Sequence, residues 1–256
     1  MDDACYDALS TLGLSNVQLF TIRDLENGDK ELVEAKQDRS RIEYYFTCTP
    51  SLLLFVLDKL PGADIVTYLD ADLFFFDNPA LVYDEIADQS IAIIEHRFSP
   101  HLKSREVYGI YNVGWVSIRR DENGLSCLQW WRERCLEWCH DWVDNGRYAD
   151  QKYLDEWPKR FQGVVVLNHK GANLAPWNLA NYEICLCGNG VLVDDQPLVF
   201  FHFHGLKQVR TWLYDSDLAG YYLRGSRLLR RSIYTPYIRA LLEAGDQIAP
   251  LLRPAS

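Results

Sequence analysis

Apolar and polar positions change period several times along the chain. Ala4, Ala8, Leu9 and Leu12 recur at helical spacing and stop at Gly13, whereas residues 16–22 (NVQLFTI) are rich in β-formers; the pattern predicts a helix and then a strand. Thr49 before Pro50 has the chemistry of an N-cap and first helical position, and Leu52, Leu53, Val56, Leu57 and Leu60 form a stripe that ends at Pro61-Gly62. A strand at 65–69, a helix at 79–87, a strand at 90–94, a loop at 96–110, a strand at 112–118 and a helix over about 124–145 follow. Short strands at 163–167, 191–193 and 198–203 then lead into an apolar and basic helical tail, 226–252. This alternation predicts an α/β fold with a mostly parallel central sheet flanked by helices, in which ligands bind at the carboxyl ends of strands. No repeat, low-complexity stretch or linker interrupts it, so a single domain over 1–256 is expected.

Composition narrows the classes. With 256 residues, 48% hydrophobic and 24% charged, the chain can bury a sizeable core, which excludes a disordered, collagenous or disulfide-stapled protein. A formal charge of -10 repels phosphate backbones and argues against nucleic acid as a partner. The seven cysteines make only Cys135-x-x-x-Cys139 and Cys185-x-Cys187, not a zinc framework, and are expected as buried thiols in a reducing compartment. No apolar run approaches the roughly 18–20 residues of a membrane span, and the start Met-Asp-Asp is acidic, so a cytoplasmic protein is expected. Trp130, Trp131, Trp138 and Trp142 fall at helical spacing on the 124–145 helix, where they read as core or interface.

Chemistry concentrates in DIVTYLDADLFFFDNP, residues 64–79. An apolar strand runs into Asp70-Ala71-Asp72, and extended chain with a period of two turns both carboxylates to one side. Two close like charges want a cation between them, and hard oxygen donors suit Mg²⁺ or Mn²⁺ carrying a diphosphate. The plainer alternative is an acidic turn after a strand, and the position at the end of an apolar strand favours the metal. Lys36, Arg39 and Arg41 precede the helix that leads to this strand, either to meet phosphate or as a solvated charge run. Glu95-His96-Arg97-Phe98 ends another strand, and the loop 171–178 (GANLAPWN) has the mix of polar and aromatic residues that stacks a pyranose face.

YLDADLFFFDNP resembles the D-x-D segment of GT-A fold, nucleotide-sugar-dependent glycosyltransferases, and is most similar to the family 8-like group that includes glycogenin and the lipopolysaccharide galactosyltransferases. Further segments resemble that family in the same order: Asn112-Val113-Gly114 its Asn-x-Gly strand, Asp150-Gln151 its Asp-Gln pair, and His202-Phe203-His204-Gly205 its H-x-x-G stretch. The likeness covers most of residues 16–212 and leaves 213–256 as a helical tail. It implies a Rossmann-like GT-A fold and Mn²⁺ or Mg²⁺ held by Asp70, Asp72 and His202. His204 is the rival for the third place, because 202 and 204 point the same way on extended chain. It further implies that Asn112, Gly114, Gly205 and Lys207 bind the donor, with Lys36 and Arg39 as candidates for its phosphates, and that Asp150 and Gln151 act at the sugar. Asp150 opens a short helical stretch, so a simple cap is its bland alternative. The implied reaction is hexosyl transfer, with retention, from a nucleotide diphospho-sugar to a carbohydrate or glycolipid acceptor in surface-polysaccharide assembly. Peripheral membrane contact is left open.

The chain departs from that family in one respect. No β-rich run precedes Asn16, so the first strand of the resembled fold is expected to be absent, with either a start further upstream or a shortened protein that binds donor weakly. Two alternatives follow: a nucleotide-sugar-binding protein with weakened catalysis, and a haloacid-dehalogenase-type phosphohydrolase. The latter wants Thr or Val two residues after its second Asp, where this chain has Phe74, and finds its Gly-Asp pair only at Gly245-Asp246 near the end.

Overall fold

The computed structural model describes residues 1–188 and 190–252. Three short helices, α1 (Asp3–Ser10), α2 (Ile22–Glu26) and α3 (Lys30–Ala35), lead into the long α4 (Arg41–Lys59). Next come β1 (Ile65–Leu69), β2 (Leu73–Phe75), α5 (Ala80–Ile86), β3 (Ile91–Glu95), β4 (Tyr111–Arg119), α6 (Glu122–Glu137), α7 (Trp157–Arg160) and β5 (Val164–Leu167). The remainder holds β6 (Ile184–Cys187), β7 (Gly190–Val193), β8 (Gln196–Pro197), β9 (Phe200–His202), a hairpin of β10 (Lys207–Arg210) and β11 (Leu213–Asp215), and the helices α8 (Arg227–Leu229) and α9 (Thr235–Ile248).

The central sheet has the order β1-β4-β3-β5 and is mixed, not mostly parallel as the alternation predicts. Strands β3 and β5 pair in parallel, but β4 runs antiparallel to both β1 and β3. The cause lies between β3 and β4: the chain turns back through a 3₁₀ segment, Pro100–Tyr108, instead of crossing over through a packed helix. Alternation within β3 feeds two cores. Ile91 and Ile93 pack with Leu53 and Leu57 of α4 and Leu128 and Trp131 of α6, whereas Ala92 and Ile94 pack with Val82 and Ile86 of α5 and with Phe200. A third core joins Phe201 and Phe203 to Ile233, Tyr234 and Tyr237 at the C-terminal helices.

Three further expectations need correction. Residues 16–21 form no strand; Thr21 instead caps α2 through reciprocal hydrogen bonds with Asp24, and no neighbouring strand offers a ladder there. Helix α4 begins at Arg41, not at Pro50, because Ser40 and Glu43 form a capping box; Pro50 lies inside the helix. Helix α6 stops at Glu137, so Trp138 is its C-cap and Trp142, 53% exposed, lies beyond it. Only Trp131 of that tryptophan set is wholly buried.

Candidate functional site

The site is built where β1, β4 and β9 approach one another. Because β4 is antiparallel, its early residues lie at the same end of the sheet as the last residues of β1, and the Asp70 amide donates to the Gly114 carbonyl at 3.3 Å. Strand β9 pairs with β2, Leu73 opposite His202, and the Phe203 amide donates to the Asp72 carbonyl at 2.9 Å. This second ladder draws His202 onto the aspartates. His202 Nε2 lies 3.0 Å from Asp72 Oδ1 and 3.7 Å from Asp70 Oδ2. Asp72, His202 and His204 each offer one ligand atom, all within 4.8 Å of one another, a set that can hold a metal ion.

Electrostatics separate the two aspartates. Burial raises the Asp70 carboxyl, His202 opposes the rise and Asp72 adds to it, so the group stands above its ordinary value. Burial also works upward on Asp72, but the hydrogen bond and charge of His202, with His204, outweigh it and leave that carboxyl lowered. His204, though exposed, is pushed down by partial desolvation of its ring and by His202. Trp177 stands edge-on to both histidines, with ring centroids 5.0 Å from His202 and 5.5 Å from His204.

A bulge in β4 forms the wall behind His202. The β3–β4 register jumps between Ile93, opposite Val116, and Ile94, opposite Asn112, which leaves residues 113–115 out of the β3 ladder. Within that bulge the Gly114 amide donates to Asn112 Oδ1 at 3.1 Å. A Cβ at Gly114 would lie 2.5 Å from Asn112 Oδ1 and 2.9 Å from the His202 ring, so the glycine is what lets imidazole and amide meet. Asn112 Nδ2 reaches His96 Nε2 at 3.3 Å and Gln151 Oε1 at 3.4 Å. His96 Nδ1 lies 3.1 Å from the Ile110 carbonyl, which only accepts; the proton is therefore on Nδ1, and Nε2 accepts from Asn112. Burial holds His96 neutral, its pKa pushed to about 3 against the pull of that carbonyl.

Asp150 and Gln151 complete the wall. Ala149 adopts φ 45°, a left-handed conformation that costs an L-residue about 1–2 kcal/mol, and the residue that follows, Asp150, is 4% exposed. The Trp131 indole donates to the Asp150 carbonyl at 2.8 Å and fixes the segment. Burial lifts the Asp150 carboxyl to about 7; the Thr49 hydroxyl opposes this and Asp70 adds to it. Gln151 donates through Nε2 to the Tyr108 carbonyl at 3.0 Å. Between Asp70 and Asp150 stands Tyr68, whose hydroxyl donates to Asp70 Oδ1 at 2.9 Å.

Two cavities lie beside this centre. One, of about 640 Å³, is lined by Tyr68, Thr49, Tyr44, Tyr45, Lys36 and Arg39 among others. Lys36 there pairs with Glu26 at 2.7 Å, and the buried Arg39 pairs with Asp38 at 2.6 Å while its Nε has no partner. A smaller cleft, about 340 Å³, runs from Asp72 past Gly205 to Gln208, Tyr214 and Tyr237. Gly205 takes φ 78° against the Asp217 carboxylate.

Thus Asp70, Asp72, His202, His204, Asn112, Gly114, Asp150 and Gln151 meet in one place, drawn from four separate stretches of chain. Lys36 and Arg39 stand across Tyr68 in the larger cavity, and Lys207 is exposed on the hairpin, outside the cluster. Trp177 is 3% exposed and so cannot offer a face to a pyranose as the 171–178 loop suggests; it packs on the histidines. Tyr68 and Thr49 escape sequence reasoning because each reads as an ordinary strand or helix residue. His96 was visible only as the end of a strand.

No family model matches the chain. Two proteins of Bacillus subtilis (strain 168), both described as uncharacterized, are similar along most of it. YfnD is 33% identical over 251 residues, 97% of this chain and 79% of its own length; YfnF is 33% identical over 217 residues, 82% and 71%. A crystal structure of a glycosyltransferase involved in the glycosylation of the major capsid of PBCV-1 overlays with a TM-score of 0.45 and 13% identity, covering 72% of this chain and 86% of that one. A likeness of that extent speaks for neither fold nor activity.

Proposed function

The chain belongs to the family of the Bacillus subtilis proteins YfnD and YfnF, and from the cluster at the end of β1 we propose that it is a metal-dependent glycosyltransferase using a nucleotide diphospho-sugar. One observation carries the proposal: Asp72, His202 and His204 converge within 4.8 Å, with Asp70 beside them, next to a wall of Asn112, Gln151 and Asp150. Two carboxylates with imidazole nitrogens are a donor set that Mn²⁺ accepts, with Mg²⁺ served by the oxygens alone. A divalent cation in this place supplies charge to the diphosphate as it leaves.

The chain's own residues divide the remaining work. Asn112 and Gln151 present amides suited to sugar hydroxyls. Asp150 is buried, and with its pKa raised to about 7 it is partly protonated near neutral pH, a state in which a carboxyl donates as well as accepts hydrogen bonds. The larger cavity, with tyrosine rings beside Lys36 and Arg39, suits the nucleoside and its phosphates. The cleft on the other side of Asp72 suits an acceptor carbohydrate, since Gln208 and Tyr214 pair an amide with an aromatic ring along it. Retention at the anomeric carbon is the outcome favoured by the motif resemblance.

The test is release of nucleoside diphosphate from a panel of nucleotide diphospho-sugars with Mn²⁺, repeated with chelator. Metal-dependent release from one donor supports the reading. No release from any donor, or phosphate release from simple phosphomonoesters instead, overturns it.

A further inference from the structure

The C-terminal part of the molecule reverses the charge of the whole. The protein has 36 acidic and 26 basic residues, yet residues 224–239 contain five arginines and no carboxylate. Arg224, Arg227, Arg230, Arg231 and Arg239 are all exposed, and none forms an ion pair among the described residues. Beside them the β10–β11 hairpin turns apolar side chains outward. Its register shifts between Gln208 and Arg210, and Val209 is 57% and Trp212 75% exposed. Tyr222, in the turn that follows, is 79% exposed. A cavity of about 440 Å³ joins the two features, with Trp212, Leu213, Leu229 and Ile238 along it and Arg227 and Arg230 among its lining.

Aromatic rings with a polar tip settle at the headgroup level of a bilayer, and arginines near them draw anionic headgroups. The apolar residues here protrude singly from a hairpin and a turn. They form points that enter a deformable phase, not a flat patch that mates with a rigid protein surface. The formal charge of -10 for the whole chain works against approach of an anionic membrane to the protein at large, which favours approach by the basic face.

We propose that this face docks the protein on an anionic lipid bilayer, with Val209 and Trp212 entering the headgroup region and Arg227 and Arg230 on lipid phosphates. Leu206 and Tyr214 line both the basic cavity and the cleft that reaches Asp72, so docking brings that cleft to the membrane surface. The docking does not depend on transfer chemistry.

Co-sedimentation of the full chain with vesicles of phosphatidylcholine or of phosphatidylglycerol tests it. Binding to phosphatidylglycerol alone, released by raised salt, is expected. The double variant Arg227→Gln/Arg230→Gln should bind roughly 25-fold more weakly, and Trp212→Ala severalfold more weakly, both with unchanged melting temperature and unchanged release of nucleoside diphosphate in solution. Failure to bind phosphatidylglycerol overturns the proposal and gives the face to a protein partner. Wild-type binding by both variants also overturns it.

Discussion

Gly114 shows how a single missing Cβ sets the geometry of the site. Its Hα side faces Asn112 Oδ1 and the His202 ring at distances no methyl could occupy. Gly114→Ala should therefore push His202 off Asp72 and lower metal-dependent turnover on the order of 100-fold, while overpacking costs about 1–3 kcal/mol of stability. Turnover and melting curves measured together check this; unchanged turnover would mean that His202 need not sit where β9 puts it. Glu43 is a residue whose charge contributes to stability. Burial works to raise its carboxyl, but the Ser40 hydroxyl and amide, the Asp141 amide and His140 outweigh burial and bring it from 4.5 to about 2. A carboxyl depressed by folding adds stability above its unfolded pKa and loses it as pH falls toward its folded value. Glu43→Gln should thus melt below wild type near neutral pH, with the gap closing between about pH 4.5 and 2. A gap that stays constant over that range would show that Glu43 is not ionised as described.

At the scale of elements, the errors of sequence reading have local causes. Apolar runs located β3 and β4, which are buried almost throughout, and β1, β5 and α5, which are partly so. The start of α4 was hidden because Thr49-Pro50 mimics a helix start, while the true start at Ser40-x-x-Glu43 lies in a charged stretch with no apolar run to mark it. Residues 16–21 have strand composition but no partner to pair with, and a strand without a ladder is not stable. Ser40→Ala should cost about 1 kcal/mol by removing the cap of α4, seen as a lower melting temperature, without changing metal binding, because α4 reaches the buried carboxylates through Thr49, about two and a half turns from Ser40. An equal loss of metal affinity would tie the helix start to the site directly.

Across the whole molecule, the candidate site was more legible than the sheet that carries it. Asp70 and Asp72 were readable from residue type and spacing, His202 and Asn112 from the motif resemblance, and the chain brings all four together. What spacing could not decide was which histidine belongs. Alternation turns 202 and 204 the same way, and both in fact stand with Asp72 within 4.8 Å. Sheet direction was illegible because it depends on the turn at 100–108, whose backbone path no residue pattern specifies. The role of Trp177 was equally hidden, since only packing shows that its ring is spent on the histidines. Among the metal ligands, His202→Ala should lose more Mn²⁺ affinity than His204→Ala, because His202 is buried against both aspartates and His204 is exposed. The most direct test of the metal centre is an electron paramagnetic resonance titration of free Mn²⁺ against wild type and Asp72→Asn, with nucleoside diphosphate present. Saturable binding of Mn²⁺ by wild type, lost in Asp72→Asn without a change in fold, is the expected result. Absence of binding in wild type, or equal binding in the variant, would contradict a metal centre at the end of β1.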